Sequence, residues 1–296
     1  MKKFLRWVLI LVLVLVVIGV AAPLFVRHRM RTQPEWYPTA RMAPDEEAAA
    51  ANRADQKLIA ARSEIAEAYA AQTRAARAGQ TPTTSPADSF VLSLTQDEIN
   101  AWLPKWENEL GWSHRIDQYL EDPTIIFRDQ EIILAATVKD WSTIVSLHFV
   151  PQMEKEGGKL HITLSGVTAG TLPLPRVSWS GYQDRLLNSM NSRLADFQKR
   201  ADIDQTGRAN SAAVLAAMSE LLIHALKDEP AEPVLFLPEQ FGRNPRSLPV
   251  RITDVTVANK TLNLTVRPMD QEERAALLEH IKGHEALTLS GTNGAG

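Results

Sequence analysis

The chain has 296 residues, a mass of 32.9 kDa, 32 basic against 35 acidic residues, and no cysteine. A net charge of −3 argues against a dedicated nucleic-acid binder, which carries a basic excess. Without cysteine there is no disulfide scaffold, CxxC redox pair, thiol nucleophile or thiolate zinc site, and 45% hydrophobic with 23% charged residues excludes wholesale disorder.

Trp7 to Val26 is an uncharged run rich in leucine and valine. At about 1.5 Å per residue it spans about 30 Å, the thickness of a bilayer core. Lys2, Lys3 and Arg6 precede it, and Arg27, Arg29 and Arg31 follow. A cleaved signal peptide is the rival reading. Its apolar core runs only about 7–15 residues, and a cut after Val20-Ala21-Ala22 would leave Pro23 beside the scissile bond. An uncleaved single-pass anchor within residues 1–32 is therefore expected. The balanced flanking charges leave the positive-inside rule nearly tied. Long C-terminal parts translocate largely regardless of charge, so the bulk is expected outside the cytoplasm.

Residues 33–44 read as a juxtamembrane linker with three prolines, its Trp36 and Tyr37 expected at the headgroup layer. Residues 45–79 form an alanine-rich segment. It opens on Pro44-Asp45-Glu46-Glu47, acids at the positive end of a helix, and closes on Gly79. One helix of roughly 50 Å is expected. Ala51, Ala54, Leu58, Ala61, Ile65 and Ala68 fall in a heptad seam whose small residues suit a partner helix. The alternatives are a solvated stalk or a helix lying on its own domain. Residues 80–89 (QTPTTSPADS) form a flexible linker.

Residues 90–287 are expected to fold as one extracytoplasmic domain. Phe90 to Leu94 reads as a strand, and Thr95-Gln96-Asp97-Glu98 as a capping box opening a helix that Gly111 ends. Between Thr124 and Thr168 the apolar period becomes two. Ile132, Leu134, Ala136 and Val138, then Thr143, Val145, Leu147 and Phe149, then Leu160, Ile162 and Leu164 form the inward face of an antiparallel meander buried on one side. Turns are expected at Arg128-Asp129-Gln130 and Gly157-Gly158, and Gly170-Thr171-Leu172-Pro173-Leu174-Pro175 leaves the sheet. Two amphipathic helices follow, one on Tyr182, Leu186, Met190, Leu194 and Phe197, the next on Val214, Leu215, Met218, Leu221, Leu222 and Ala225. A hairpin about Ala258-Asn259-Lys260 and a helix from Asp270 to Ile281 complete the domain, and residues 288–296 read as a tail. The fold class is α+β: an antiparallel meander sheet packed by helices, preceded by a transmembrane helix and a long alanine-rich helix.

Leu94-Thr95-Gln96-Asp97-Glu98-Ile99-Asn100 resembles the "LTxxELN" opening of YpmS-like membrane-anchored bacterial proteins. The alternating strand before Lys139, the Gly157-Gly158 hairpin and the Gly170 to Pro175 exit are similar as well, over about residues 90–190. The resemblance implies a short N-terminal span in the bacterial cell membrane and an extracytoplasmic α+β domain of the cell envelope. It implies no reaction.

No catalytic constellation stands out. There is no GxSxG and no glycine-rich phosphate loop, and Ser165-Gly166 and Ser180-Gly181 are isolated. His280 and His284 lie four apart, but Gly283 should break their helix. His148 and His161 sit on neighbouring strands out of register and should face solvent. Glu121 and Asp122 beside Pro123 read as turn chemistry. No metal and no cofactor are expected. Trp102, Trp106, Trp112 and Trp179, with Leu147 and Phe149, are the candidate ligand-binding residues: indoles either fill a core or line an apolar groove, and beside a membrane the natural occupant of such a groove is an acyl chain. The expected function is a non-enzymatic envelope protein that binds a lipid or other apolar ligand. The alternative is an assembly factor docking through the alanine-rich helix or a sheet edge.

Overall fold

A computed structural model of the chain describes residues 25–38, 42–78, 89–110, 120–154, 158–204, 208–238 and 246–290, with some side chains inside these spans left out. Residues 25–31 are helical. Helix α1 (Pro44–Arg77) leads to β1 (Phe90–Thr95) and α2 (Gln96–Leu110). The meander follows as β2 (Leu120–Arg128), β3 (Glu131–Val138), β4 (Thr143–Met153), β5 (Leu160–Ala169) and β6 (Leu172–Pro173). Then come α3 (Arg176–Arg200), β7 (Ala209–Asn210), α4 (Ser211–Lys227), β8 (Val234–Pro238), β9 (Arg246–Ala258), β10 (Thr261–Pro268) and α5 (Gln271–Ser290). The strands form two antiparallel five-stranded sheets. One is the meander β2-β3-β4-β5-β6; the other runs β1-β10-β9-β7, with β8 also on β9. The α+β class holds, and the second sheet gathers strands from both ends of the domain. No helix among the described residues is long and apolar enough to cross a membrane; of the Trp7 to Val26 run only the last two residues are described.

The hairpins follow turn chemistry. Asp129 and Gln130 (φ 38° and 69°) make the two-residue turn between β2 and β3, and Asn259 and Lys260 (φ 52° and 59°) the one between β9 and β10. The primed turns need positive φ at both central positions. Asp122 (φ 51°) is the exception to the expected turn at Glu121-Asp122-Pro123. The register shifts between Glu121 and Thr124, so these residues form a bulge within β2 and not a turn ahead of it. Leu172 and Pro173 remain paired with Ala169 and Thr168, because an edge strand tolerates a residue that cannot donate.

The meander pairs as its period demands: Ile132 opposite Phe149, Leu134 opposite Leu147, Ala136 opposite Val145, Val138 opposite Thr143. Yet the opposite face is buried too. Ile133, Ala135 and Ile126 form a cluster with Tyr37, against which Trp36 and Ile144 pack. The presumed linker is therefore a strap across the sheet. Pro34 and Tyr37 are buried, and the Tyr37 hydroxyl donates to Asp122 O at 3.0 Å. This corrects the placing of Trp36 and Tyr37 at the headgroups: the outward face of β3 carries Ile133 and Ala135, and the strap supplies the apolar cover they need.

Helix α1 is neither stalk nor spacer. Ala61, Ile65 and Tyr69 share one core with Leu92, Leu160, Leu237, Leu248, Val250, Ile252 and Val266, and Leu58 packs against it. Ala50 and Ala54 are fully buried where α1 meets α2; at those turns Asp55 accepts from the Trp102 indole N–H (2.9 Å) and Lys57 pairs with Glu98 (2.7 Å). Of the seam named for a partner helix, Ala54, Ala61 and Ile65 are buried in this chain and Ala51, Leu58 and Ala68 half-buried. The close approach that small residues permit is used by the chain's own sheet and α2. A second core joins Leu194, Ala213, Ala216, Ile223, Phe236, Leu277 and Ile281 across α3, α4 and α5. Two helix faces differ from expectation. In α3, Leu187 packs inward and Leu186 is exposed; in α4 the buried stripe is Ala213, Ala216, Ile223, Ala225 and Leu226. Helix α5 opens with an Asp270–Glu273 capping box and runs through Gly283 to Ser290.

Where α4 meets α5, His280 Nε2 stands 2.5 Å from Glu220 Oε1. The hydrogen bond to Glu220 raises the imidazole pKa above its ordinary value, against the lowering effect of burial. A raised folded-state pKa adds stability that is full below the unfolded pKa and is lost as pH rises through the folded one. The melting temperature is expected to fall as pH climbs above the ordinary histidine range, near 6.5. Glu220→Gln should flatten that slope in thermal melts across pH; an unchanged slope would show that the pair contributes nothing.

Candidate functional site

The residues LTQDEIN do two jobs at once. Thr95 Oγ1 accepts from Glu98 N (3.2 Å) and Glu98 Oε2 accepts from Thr95 N (2.9 Å), the expected reciprocal cap. Gln96 and Asn100, one turn apart on α2, face the open edge of β2. Gln96 Oε1 accepts from Phe127 N at 3.1 Å; Asn100 Oδ1 accepts from Ile125 N and its Nδ2 donates to Ile125 O, both at 2.7 Å. Two amides thus replace a missing strand and blunt the sheet edge. Gln96 N donates to Lys260 O (2.8 Å), tying α2 to the β9–β10 turn of the other sheet. Glu98 is buried. Burial pushes its carboxyl up, but the Lys57 ammonium and the Thr95 amide outweigh this and hold it below the usual carboxylate range.

Beside this motif lies an open cleft of about 660 Å³, lined by Tyr37, Met42, Asn100, Leu103, Leu120 and Lys139 among others. The register fixes its place. Leu120 pairs with Val138, Val138 with Thr143, and Gly170 N donates to Ile144 O at 2.7 Å. The cleft therefore opens at the end of the meander where residues 25–31 attach. There Thr171 N and Oγ1 donate to Arg29 O at 3.0 and 3.2 Å. Gly170 (φ 58°) has no room for a side chain, since a Cβ would overlap the carbonyl oxygens of Arg29 and Met30.

The named ligand residues do not converge. Trp102 lies two residues beyond Asn100, on the far side of α2, where it holds Asp55. Leu147 and Phe149 share a face of β4, Phe149 buried and Leu147 half-buried, two strands in from the edge that α2 covers. Trp112 and the side chains of Trp106 and Trp179 lie outside what the structure describes.

Sequence reasoning missed a polar cluster beneath the strap. Ser146 Oγ lies 2.9 Å from His148 Nε2 and 2.7 Å from Thr168 Oγ1; His148 Nδ1 lies 3.2 Å from Glu131 Oε2; Ser165 Oγ donates to Glu131 Oε1 at 2.8 Å. The Trp36 ring stands edge-on to His148 at 5.8 Å. His148 is thus no solvent-facing residue, though it and His161 are indeed out of register, pairing with Gly166 and Gln152. Serine, histidine and carboxylate occur in the order of a nucleophile, base and orienter. However, Ser146 is fully buried and already engages a second hydroxyl. The chain of bonds satisfies polar groups under the strap, and only Ser146 is fully buried: the His148 and Glu131 side chains keep 14% and 26% of their surface exposed. Its only sequence signal was the Ser146-x-His148 alternation on the face opposite the apolar one.

Among the described residues no three His, Asp or Glu side chains are grouped to hold a metal. Comparison with protein-family models, with curated proteins and with solved structures finds no match.

Proposed function

We propose that this chain is a single-pass, membrane-anchored envelope protein, non-enzymatic and YpmS-like, whose α+β domain binds a lipid or other apolar ligand in the anchor-proximal cleft. The observation that carries this reading is the position of the cleft, at the end of the meander where residues 25–31 attach. The apolar run before them supports the membrane reading. The volume falls within the about 300–1,000 Å³ usual for small-molecule sites. Met42, Ala101, Leu103 and Leu120 offer an apolar wall for an acyl chain, and Lys139 with Glu47, Asp97, Glu121 and Asp122 gives the lining both signs of charge, which suits a zwitterionic headgroup.

Native mass spectrometry of the full chain released from detergent tests it. The expected result is a stoichiometric lipid adduct that Leu103→Arg removes. Adduct-free masses for both chains would sink the reading. They would shift belief to the docking alternative at β1, which ends its sheet, carries no charge and leaves Val91 60% exposed.

A further inference from the structure

Trp141 is 53% exposed. It ends the single turn of 3-10 helix (Lys139–Trp141) between β3 and β4, and Ser142 in the left-handed region (φ 47°) turns the chain back into β4. It belongs to none of the three apolar clusters. Its neighbours place it: Thr143 Oγ1 donates to Trp141 O (3.0 Å), and Gly170 N donates to Ile144 O. Trp141 therefore sits at the same end of the meander as Gly170 and Thr171, within about 10 Å by strand spacing and rise.

That end is held against the anchor. Residues 25–29 are exposed, so the helix projects from the domain instead of lying on it. Val26 ends the apolar run, and Arg29 accepts the Thr171 bonds three residues later, about 5 Å along a helix axis. Gly170 is seated against the Arg29 and Met30 carbonyls, so no slack separates sheet from anchor. A helix leaving a bilayer at Val26 brings Gly170, Thr171 and the adjacent turn to headgroup depth. Tryptophan favours that layer, its apolar rings down and its N–H in water, and exposed Lys139 and Asp140 beside it give the turn no net charge to repel a headgroup.

We infer that the β3–β4 turn is a second membrane contact, with Trp141 inserted at the headgroup level of the anchoring bilayer, so that the domain stands docked on the lipid surface. The contact rests on the anchor reading above. It also takes the interfacial role that Trp36 and Tyr37, committed to the strap, do not fill.

The chain has no cysteine, so single-cysteine variants report one site each. The full chain is placed in phosphatidylcholine vesicles containing phosphatidylglycerol, with an environment-sensitive fluorophore on Trp141→Cys, Val91→Cys or Leu15→Cys. Quenching by a lipid with a nitroxide near its headgroup is compared with quenching by one labelled near the chain end. Position 141 should be quenched several-fold more strongly by the shallow nitroxide than position 91, and position 15 by the deep one. Equal quenching at 141 and 91, with position 15 still quenched, overturns the contact and leaves the anchor standing. A probe at position 15 that neither nitroxide reaches overturns the anchor and this contact together.

Discussion

Replacing Ile65 by alanine in the full chain is expected to lower unfolding free energy by about 2–5 kcal/mol, the usual cost of truncating a buried isoleucine. Ile65 is 1% exposed and belongs to the core of Leu92, Leu237, Leu248, Val250 and Val266, of which the last four lie on three strands, β8, β9 and β10, far later in the chain. A typical domain holds only about 5–15 kcal/mol in all. A fragment beginning at Phe90, where composition suggests a boundary, would lose Ala61, Ile65 and Tyr69 together. It would also leave Pro249 O and Met269 N without the Tyr69 hydroxyl that binds both. Such a fragment is expected to show no cooperative thermal transition, whereas one beginning at residue 32 should melt cooperatively. A fragment from Phe90 with the same transition as the longer chain would show that α1 is dispensable.

Gly170→Ala is expected to detach the strap. Alanine in the left-handed region costs roughly 1–2 kcal/mol, and its Cβ would meet two backbone carbonyls that cannot swing aside. The Thr171 bonds to Arg29 would break, and with them the path that lays Tyr37 over Ile126, Ile133 and Ala135. Burial of a side chain of that size is worth about 1.5–3 kcal/mol. Hydrogen exchange at residues 29–38 should rise sharply in the variant, while β9 and β10 stay protected because their core lies elsewhere. Unchanged protection at residues 29–38 would mean the seat at Gly170 is not what holds the strap. Freed from its seat, the domain would hang by a slack segment, and Trp141 should lose its lipid contact in the same variant.

These expectations bear on what the domain can do. Docked as proposed, the domain would present its cleft at the lipid surface. Reaching the Ser146 hydroxyl would mean lifting the strap and uncovering Ile133, which is fully buried.

Local rules were legible in the residues. The Thr95–Glu98 cap, the Asn259-Lys260 turn and the alternation of β3 against β4 each depend on neighbours a few positions apart, so patterning alone specifies them. The Gln96 and Asn100 amides were visible only as part of a motif; that they replace a strand needed β2 beside them. Three matters were decided by tertiary structure. Alanine at helical spacing promises close approach but does not say to what, and here the surface was the chain's own second sheet. Trp36 and Tyr37 after an apolar run suit a headgroup layer as well as a core, and the uncovered Ile133 and Ala135 drew them in. Serine, histidine and glutamate between Ile133, Ala135 and Ile144 on one face suggest solvent until a strap covers them. The sequence by itself determined the alternation of β3, β4 and β5, the Thr95–Glu98 cap, the turns at Asp129-Gln130 and Asn259-Lys260, and the run that reads as an anchor. Which face each element buries, and against which distant segment, follows from non-local apolar surfaces that complement one another only once the chain is packed.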